Sequence, residues 1–235
     1  MVNKKSSDKV QGLGDGHRKR LRDRFFHSGI SAFAPHELVE LLLMLAIPRR
    51  DVKPLAKAMI ARFGSLRAIV DAESEDLLAV KGVTEITVFA LKFMRSLIPL
   101  YLQSPLTQSS LTNTPQLLEQ LWRSRLGHEN QEVFEIAHFD AGLRLLQDGI
   151  ITHSRGSQDQ SAVFPGEVIK QALKLNAFAI AFAHNHPSGD PTPSDQDKLL
   201  TRQLVLAATT VNIKVIDHLI ISRDRCLSFR KEGLL

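Results

Sequence analysis

Residues 184–197 read HNHPSGDPTPSDQD and constrain the fold more than any other stretch of the chain. They follow an apolar run, residues 177–183, that has the length and composition of a buried strand. The prolines and the glycine that come next require the chain to turn, and Ser194 is the type of residue that begins a helix. The sequence therefore predicts a buried strand, a turn and a helix in succession.

Two histidines of this segment stand two positions apart. Side chains at that spacing on a strand point to the same face, so His184 and His186 direct both imidazoles toward one point. The turn can bring Asp197 back over them, which gives two nitrogens and one carboxylate around a single cation. Three protein ligands with one position left for water are typical of a catalytic zinc site.

Other interpretations of the same residues stay open at this point. Histidines at this spacing also occur by chance, and Asp190 and Asp195 compete with Asp197 on composition alone. Ser194 and Asp197 have the spacing of a capping box, in which the acidic side chain accepts from the serine backbone N–H. A helix start needs no metal. From the residues alone, a zinc site is predicted and its third ligand is left open.

The motif resembles that of the JAMM (MPN+) metalloproteases. His-x-His, seven residues, Ser, two residues and Asp fit His184, His186, Ser194 and Asp197 without departure. The longer string over residues 184–194 is similar to the bacterial RadC family within that fold. The resemblance covers about residues 115–235 strongly and the N-terminal hundred residues more loosely. Two flanking pieces agree with it, namely Asp217-His218 before an apolar run and Ser228-Phe229 near the C-terminus.

The resemblance implies a fold and a set of roles. The fold is the JAMM type, a mixed α+β or α/β, cytidine-deaminase-like sheet flanked by helices. Asp197 becomes the third ligand of Zn²⁺, and Ser194 a hydrogen-bond donor to the substrate or the tetrahedral intermediate. JAMM enzymes take a glutamate general base from a strand upstream of the histidines, and Glu132 is the best positional match. Glu167 is the alternative; it lies in a Pro-x-Glu segment where Gly166 replaces the arginine usual in the family.

Three residues near the motif receive structural interpretations. Asn185, between the two ligands, should point away from the metal because side chains alternate along a strand. His218 either supports the ligands from behind or is a core histidine with satisfied hydrogen bonds. Cys226 is the only cysteine, which excludes an internal disulfide and a zinc site of paired thiolates and suits a reducing cytosol. We expect it to be a small buried or half-buried residue.

The sequence divides into four segments by composition. Residues 1–16 are polar with three glycines, and we expect a disordered tail. Residues 17–101 carry apolar residues at helical spacing and predict a small all-α domain. Residues 102–115 are uncharged and rich in Ser and Thr, which predicts a linker. Residues 116–235 mix strands and helices and form the metal-dependent hydrolase domain, in which residues 132–139 alternate as a half-buried strand does.

The helical segment carries two features that suggest DNA. Residues 17–24 are the densest basic cluster, which forms either a phosphate-binding helix or the solvated face of a first helix. Residues 78–94 resemble a helix-hairpin-helix, whose Gly-containing turn offers backbone N–H groups to a DNA phosphate. Thr84 replaces the second glycine of the usual turn. Because threonine does not adopt positive φ cheaply, a scaffold role is the alternative.

The leading functional hypothesis is a zinc-dependent hydrolase that cleaves a peptide or isopeptide bond in a peptide or protein substrate. The alternative is a DNA-associated repair or mobile-element accessory protein, whose N-terminal domain binds DNA and whose metal domain is an interaction module without proteolysis. The net charge of +5 permits anionic partners without selecting them. The absence of a leader and of a long apolar run predicts a cytoplasmic protein without membrane attachment. The oligomeric state is left open.

Overall fold

The computed structural model describes residues 11–113, 115–156 and 163–235. The chain divides into two compact units, Met1–Leu97 and Ile98–Leu235. Across the described ranges, no helix combines the length and the apolar character that a bilayer crossing requires.

The N-terminal unit is helical throughout its described elements. Its core is apolar and comes from residues three and four apart on successive helices, among them Val39, Leu43, Met59 and Leu91. The helices are α1 (Gln11–Ser28), α2 (Pro35–Ala46), α3 (Lys53–Phe63), α4 (Leu66–Asp71), α5 (Ser74–Leu78) and α6 (Glu85–Gln108), of which α6 extends beyond Leu97.

Helix α1 begins earlier than the sequence suggested. The prediction of a disordered tail over residues 1–16 is wrong for residues 11–16, which are helical, and residues 1–10 lie outside the described residues. Tertiary contacts anchor the helix despite its glycines. His17 Nε2 lies 2.7 Å from the buried Glu40 carboxylate, and Arg18 Nη2 donates to the Ile47 carbonyl at 2.6 Å. Such contacts outweigh intrinsic helix propensity, which is a weak preference.

The turn between α5 and α6 explains the unusual Thr84. Gly82 takes the left-handed conformation, with φ of 100°, and a Cβ there would lie 2.9 Å from the Arg50 guanidinium. Thr84 instead caps helix α6, since its Oγ1 accepts from the Thr87 N–H at 3.4 Å and its carbonyl accepts from Val88. The hairpin thus needs only one glycine.

The predicted linker over residues 102–115 is wrong in its conformation. Helix α6 continues through Gln108, and a short 3-10 helix, Leu111–Asn113, follows it. Leu106 and Leu111 are buried in the core of the C-terminal unit. The high Ser/Thr content favoured the prediction of a linker, but burial of these two leucines stabilises an ordered backbone.

The C-terminal unit is built on a five-stranded mixed sheet in the order β2-β1-β3-β4-β5. Strands β3 and β4 pair in parallel, with helix α9 as the connection between them, and the remaining neighbours are antiparallel. This confirms the predicted mixed sheet flanked by helices. The elements are α7 (Pro115–Leu126), β1 (Val133–Phe139), β2 (Leu145–Arg155), α8 (Pro165–Lys174), β3 (Ala179–Asn185), α9 (Asp195–Thr210), β4 (Lys214–Ile221) and β5 (Cys226–Ser228).

Both faces of the sheet are covered. Helix α7 packs one face through Leu121 and Trp122, while α8 and α9 cover the other through Val168 and Leu204. Strand β1 is therefore buried along its whole length, not half-buried as its alternation predicted. Each of its two polar residues makes at least one hydrogen bond inside the protein, while His138 Nε2 has no partner among the described residues.

Those polar residues are Glu135 and His138. Arg125 donates two hydrogen bonds to the Glu135 carboxylate, each 2.7 Å long, and Thr152 adds a third at 3.2 Å. His138 Nδ1 lies 2.7 Å from the Gly149 carbonyl. Polar alternation in a sequence therefore does not require a solvent-exposed face when the partners come from neighbouring elements.

Candidate metal centre

The candidate centre lies where β3 ends and the chain turns toward α9. His184 is in β3, and His186 follows directly, with its backbone N–H donating to the Ile221 carbonyl of β4 at 2.8 Å. This bond extends the strand geometry past Asn185, so both imidazoles lie on the α8/α9 face. The turn then leads to Ser194, the N-cap of α9.

Donor atoms of three side chains converge at this point. His184 Nε2 lies 3.0 Å from His186 Nε2 and 3.0 Å from Asp197 Oδ1. His186 Nε2 lies 3.5 Å from Asp197 Oδ2. The structure thus brings the two histidines and Asp197 together, whereas Asp195 and Asp190 direct their carboxylates to Lys198 and Thr192.

The spacing of these atoms fits a single metal ion. Ligands about 2.0–2.1 Å from a tetrahedral ion are separated by roughly 3.3 Å from one another. His184 Nε2 lies 3.0 Å from both His186 Nε2 and Asp197 Oδ1, which is close to that value, and the 3.5 Å separation from His186 is measured to the other Asp197 oxygen, Oδ2. Glu132, His184 and His186 also form a group whose ligand atoms lie within 4.8 Å of one another. The donor set can therefore hold a metal ion.

Asp197 is fully buried and its two oxygens have different partners. Ser194 donates to Oδ2 from its backbone N–H at 2.7 Å and from its hydroxyl at 2.6 Å. Oδ1 faces His184. Burial raises the pKa of the Asp197 carboxyl, but hydrogen bonds from His184, His186 and Ser194 outweigh it and hold the pKa far below its usual range. The carboxylate is thus anionic, as a metal ligand must be.

The outer nitrogens of the two imidazoles have unlike partners. His186 Nδ1 lies 2.8 Å from the Asp190 carbonyl, which can only accept a hydrogen bond. His184 Nδ1 lies 2.9 Å from Nε2 of the buried His218, and His218 Nδ1 lies 2.6 Å from Thr201 Oγ1. Both imidazoles therefore turn Nε2 toward the centre.

The pKa values of His186 and His218 are shifted in opposite directions by their environments. Burial lowers the pKa of His186, but hydrogen bonds to Asp197 and to the Asp190 carbonyl more than offset it, so the pKa is raised. Burial holds the pKa of His218 well below its ordinary value, and the neighbouring His184 adds to that shift. His218 is therefore a neutral ring behind the site.

Glu132 and Glu167 occupy different positions relative to the centre. Glu132 Oε1 lies 3.9 Å from His186 Nε2. Strand register explains this, because Phe134 pairs with His184, and continuing the antiparallel register puts Glu132 opposite His186. Glu167 is exposed on α8 and contacts Lys170 at 3.5 Å. Of the two candidates, the structure brings Glu132 to the histidines.

Two cavities adjoin the centre in the part of the chain described. One measures about 20 Å³ and is lined by Glu132, His184 and Asp197 among others, which is room for about one water molecule. The other measures about 320 Å³ and lies beside His186, between the segments 126–130, 185–189 and 221–224. The first suits a reacting water, and the second is within the size range of ligand pockets.

Asn185 has a role that strand alternation alone could not reveal. Its side chain points away from the centre, as predicted, and is buried. Its Oδ1 accepts from the Val133 N–H at 2.8 Å, and its Nδ2 donates to the carbonyls of Glu129 and Gln131 at 3.2 and 3.0 Å. It thereby fixes the segment that carries Glu132. An asparagine inside an apolar strand was the available signal, since a buried amide requires several partners.

Cys226 is a half-buried residue, as predicted, and does not contribute to the centre. Burial raises the pKa of its thiol to about 12, with a further increase from Glu119. A thiol with such a pKa is a poor nucleophile at neutral pH.

Comparison with known proteins finds one matching family model and similar proteins that align over most of this chain. The family model described as "RadC-like JAB domain" matches residues 112–234. A UPF0758 protein of Ruegeria pomeroyi is 38% identical over 219 residues, which cover 93% of this chain and 97% of that protein. A UPF0758 protein of Rhodobacter capsulatus is 39% identical, over 92% of this chain and 100% of the relative. One of Fusobacterium nucleatum is 34% identical, over 94% and 97%.

Proposed function

Because the chain belongs to the RadC-like JAB domain family, we propose that it is a zinc-dependent hydrolase that cleaves a peptide or isopeptide bond. His184, His186 and Asp197 are the proposed ligands. The observation that carries the proposal is the convergence of their donor atoms at separations of 3.0–3.5 Å beside a cavity that holds one water. Zinc is favoured because two imidazoles and one carboxylate are a usual ligand set for catalytic zinc.

A zinc ion at this site would supply Lewis acidity and lower the pKa of a coordinated water toward about 7. Glu132 is the proposed general base, which takes a proton from the attacking water and passes it to the leaving amine. Its carboxylate lies 3.9 Å from His186 Nε2 and lines the small cavity, which supports this role.

Ser194 is proposed to orient Asp197 and to donate to the oxyanion that develops on the substrate carbonyl. Its hydroxyl is committed to Asp197 Oδ2 at 2.6 Å, but its backbone N–H donates to the same oxygen at 2.7 Å. The carboxylate therefore keeps one donor when the hydroxyl turns toward substrate. A preorganised oxyanion donor lowers the barrier by a few kcal/mol.

The decisive experiment combines metal analysis with hydrolysis assays on the full chain. Protein purified without chelator should contain about one zinc per chain, and His184→Ala should lose it. The probes are a quenched-fluorescence peptide library and a peptide linked through a lysine ε-amide. Full zinc occupancy in His184→Ala would contradict the proposed ligands.

Glu132→Gln provides the sharper separation of binding from chemistry. The variant should keep its zinc and lose about 10²- to 10⁴-fold in hydrolysis, the usual contribution of a general base. Glu167→Gln is the matched control, because it removes the same charge from an exposed helix. Equal losses in the two variants would argue against a specific role for Glu132.

A second candidate function, DNA binding by the helical unit, is supported by exposed basic residues. Lys19, Arg20 and Arg22 lie exposed on α1, and Gly82 forms the positive-φ turn of a helical hairpin. The test measures binding of the full chain to duplex and branched DNA at two salt concentrations, with Lys19, Arg20 and Arg22 changed to Gln as the comparison. Affinity that does not weaken with salt would contradict phosphate contact.

A further inference from the structure

We propose that Thr201 and His218 form a positioning relay that keeps a hydrogen on Nδ1 of His184, so that Nε2 is the nitrogen presented to the metal position. The proposal deepens the proposed function, because it rests on His184 as a ligand. The relay is a chain of three contacts within the C-terminal unit. Thr201 Oγ1 lies 2.6 Å from the Asp197 carbonyl, His218 Nδ1 lies 2.6 Å from Thr201 Oγ1, and His184 Nδ1 lies 2.9 Å from His218 Nε2.

The donor and acceptor of each hydrogen bond in the relay follow from the Asp197 carbonyl at its end. A carbonyl oxygen carries no hydrogen, so the short contact between the Asp197 oxygen and Thr201 Oγ1 requires the threonine hydroxyl proton. That proton is the only one the hydroxyl has. Thr201 Oγ1 must therefore accept the next hydrogen bond, and His218 Nδ1 must donate it.

His218 then transmits the direction to the ligand. The ring is completely buried and lies against the aromatic rings of Phe134, Phe182 and Phe229, with centroid distances of 5.6, 5.8 and 4.8 Å. Such an apolar enclosure disfavours a charged imidazolium. A neutral ring with its hydrogen on Nδ1 has a bare Nε2, which accepts from His184 Nδ1–H. His184 Nδ1 is thereby occupied as a donor, and Nε2 is the ring nitrogen that faces the centre.

The relay differs from the usual support of a metal-binding histidine. The outer nitrogen of such a ring commonly donates to a carboxylate or a backbone carbonyl, as His186 does with the Asp190 carbonyl. His184 instead donates to a neutral imidazole, which adds no negative charge behind the metal. Because the relay starts at the backbone of Asp197 and ends at His184, it also couples two proposed ligands through Thr201 of α9 and His218 of β4.

The test uses Thr201→Val, which removes the hydroxyl but keeps the shape of the side chain. Thr209→Val is the matched control. Thr209 lies on the same helix and bonds the carbonyl four residues earlier at 2.8 Å, but no described contact joins it to a histidine. The first measurement is the ¹⁵N spectrum of the imidazoles in apo protein, which reports each tautomer directly. Wild type and Thr209→Val should show His184 and His218 with hydrogen on Nδ1.

The second measurement is zinc affinity by competition with a chromophoric chelator. Thr201→Val should populate the Nε2–H tautomer of His184 and bind zinc about 10- to 100-fold more weakly, the typical effect of losing such outer support. Thr209→Val should bind as wild type does. His218→Gln, whose amide oxygen can accept from His184, should retain more affinity than His218→Leu.

The outcomes separate this proposal from the proposed function. The tautomer spectrum needs neither metal nor substrate, so a protein without hydrolytic activity still tests the relay. Wild-type His184 without a hydrogen on Nδ1 would overturn the relay. Equal zinc affinities of Thr201→Val and Thr209→Val would overturn it as well. Failure of the wild type to bind any zinc would instead contradict the proposed function.

Discussion

The two sides of the candidate centre are held in different ways. On the inner side, His184 and Asp197 are 4% and 0% exposed, and strand β3 and helix α9 carry them. On the outer side, His186 and Glu132 are partly exposed, and each lies at or beyond the end of a strand. The inner side is fixed by packing and by side chains of neighbouring elements, and the outer side by backbone atoms of loops.

This difference separates the contacts that we expect to determine metal binding from those that we expect to determine hydrolysis. When the partner of a buried polar group is removed, the group is left without a hydrogen bond and its full desolvation penalty destabilises the protein. An exposed group instead replaces the lost partner with water. We therefore expect substitutions on the inner side to abolish metal binding. On the outer side, we expect substitutions of His186 to weaken metal binding, whereas those of Glu132 and of the loops that hold it should alter hydrolysis and leave the metal in place.

The largest expected effect is the loss of metal in Asp197→Asn. The amide is a weaker ligand than a carboxylate and leaves two facing imidazoles without a balancing anion, so zinc affinity should fall by at least about 100-fold. Equilibrium dialysis of zinc with circular dichroism as a check on folding measures this.

Asp190→Asn and Asp195→Asn are the controls for that loss. Both carboxylates are exposed, and the contact of Asp190 with His186 uses its backbone carbonyl, which asparagine retains. Zinc affinity should stay within about threefold, as for exposed surface charges. Loss of zinc in either control with retention in Asp197→Asn would reverse the assignment of the third ligand.

The next effect concerns Asn185, whose side chain connects the inner strand to the segment carrying Glu132. Asn185→Ala leaves the Val133 N–H and two carbonyls without their partner. Stability should fall by about 1–3 kcal/mol. Hydrolysis should fall by about 10- to 100-fold because Glu132 is displaced, while zinc is retained.

Steady-state kinetics together with zinc analysis separate these outcomes. Gln131→Ala is the control, because the described hydrogen bond from Asn185 is to the backbone carbonyl of Gln131, which alanine retains. A fall in kcat with unchanged KM is the expected pattern for displacement of a general base. Loss of zinc in Asn185→Ala would instead show that the two sides of the centre are not separable.

The smallest effect is expected for Arg225→Gln on the outer loop. The Arg225 guanidinium donates to the Gly189 carbonyl at 3.2 Å and lies 3.6 Å from the Asp190 carboxylate, and both charged groups are largely exposed. Exposed pairs contribute about 0–1 kcal/mol, so zinc affinity should change by less than about fivefold. A chelator titration at low and high salt provides the measurement. A loss as large as that of Asp197→Asn would contradict the comparison.

Local rules located the strand that carries the histidines and the helix that follows it. Alternation along an apolar strand was enough to pair His184 with His186, and helix-start signals located α9. The sequence presented the capping box and the metal ligand as alternatives for Asp197, but the carboxylate fits both. Its Oδ2 accepts from Ser194, and its Oδ1 faces His184. A side chain with two acceptors can satisfy a helix end and a cation together.

Features that depend on long-range pairing are not visible in local patterns, and Glu132 was named only through the family resemblance. The position of Glu132 depends on the register of β1 against β3, and the contact of Thr201 with His218 joins a helix to a strand beyond it. Neither register nor crossover packing is encoded in a short window. The same limit explains the predicted linker, where Leu106 and Leu111 gave no local sign of the core they enter.

The position of His218 on β4 has a consequence for protein engineering. A fragment that spans only residues 177–200 carries every proposed ligand but lacks the residue behind His184. In such a fragment grafted onto a foreign scaffold, His184 could carry its ring hydrogen on either nitrogen, and we expect weak zinc binding. A grafted fragment should therefore extend through residue 218, so that it includes the imidazole that orients His184.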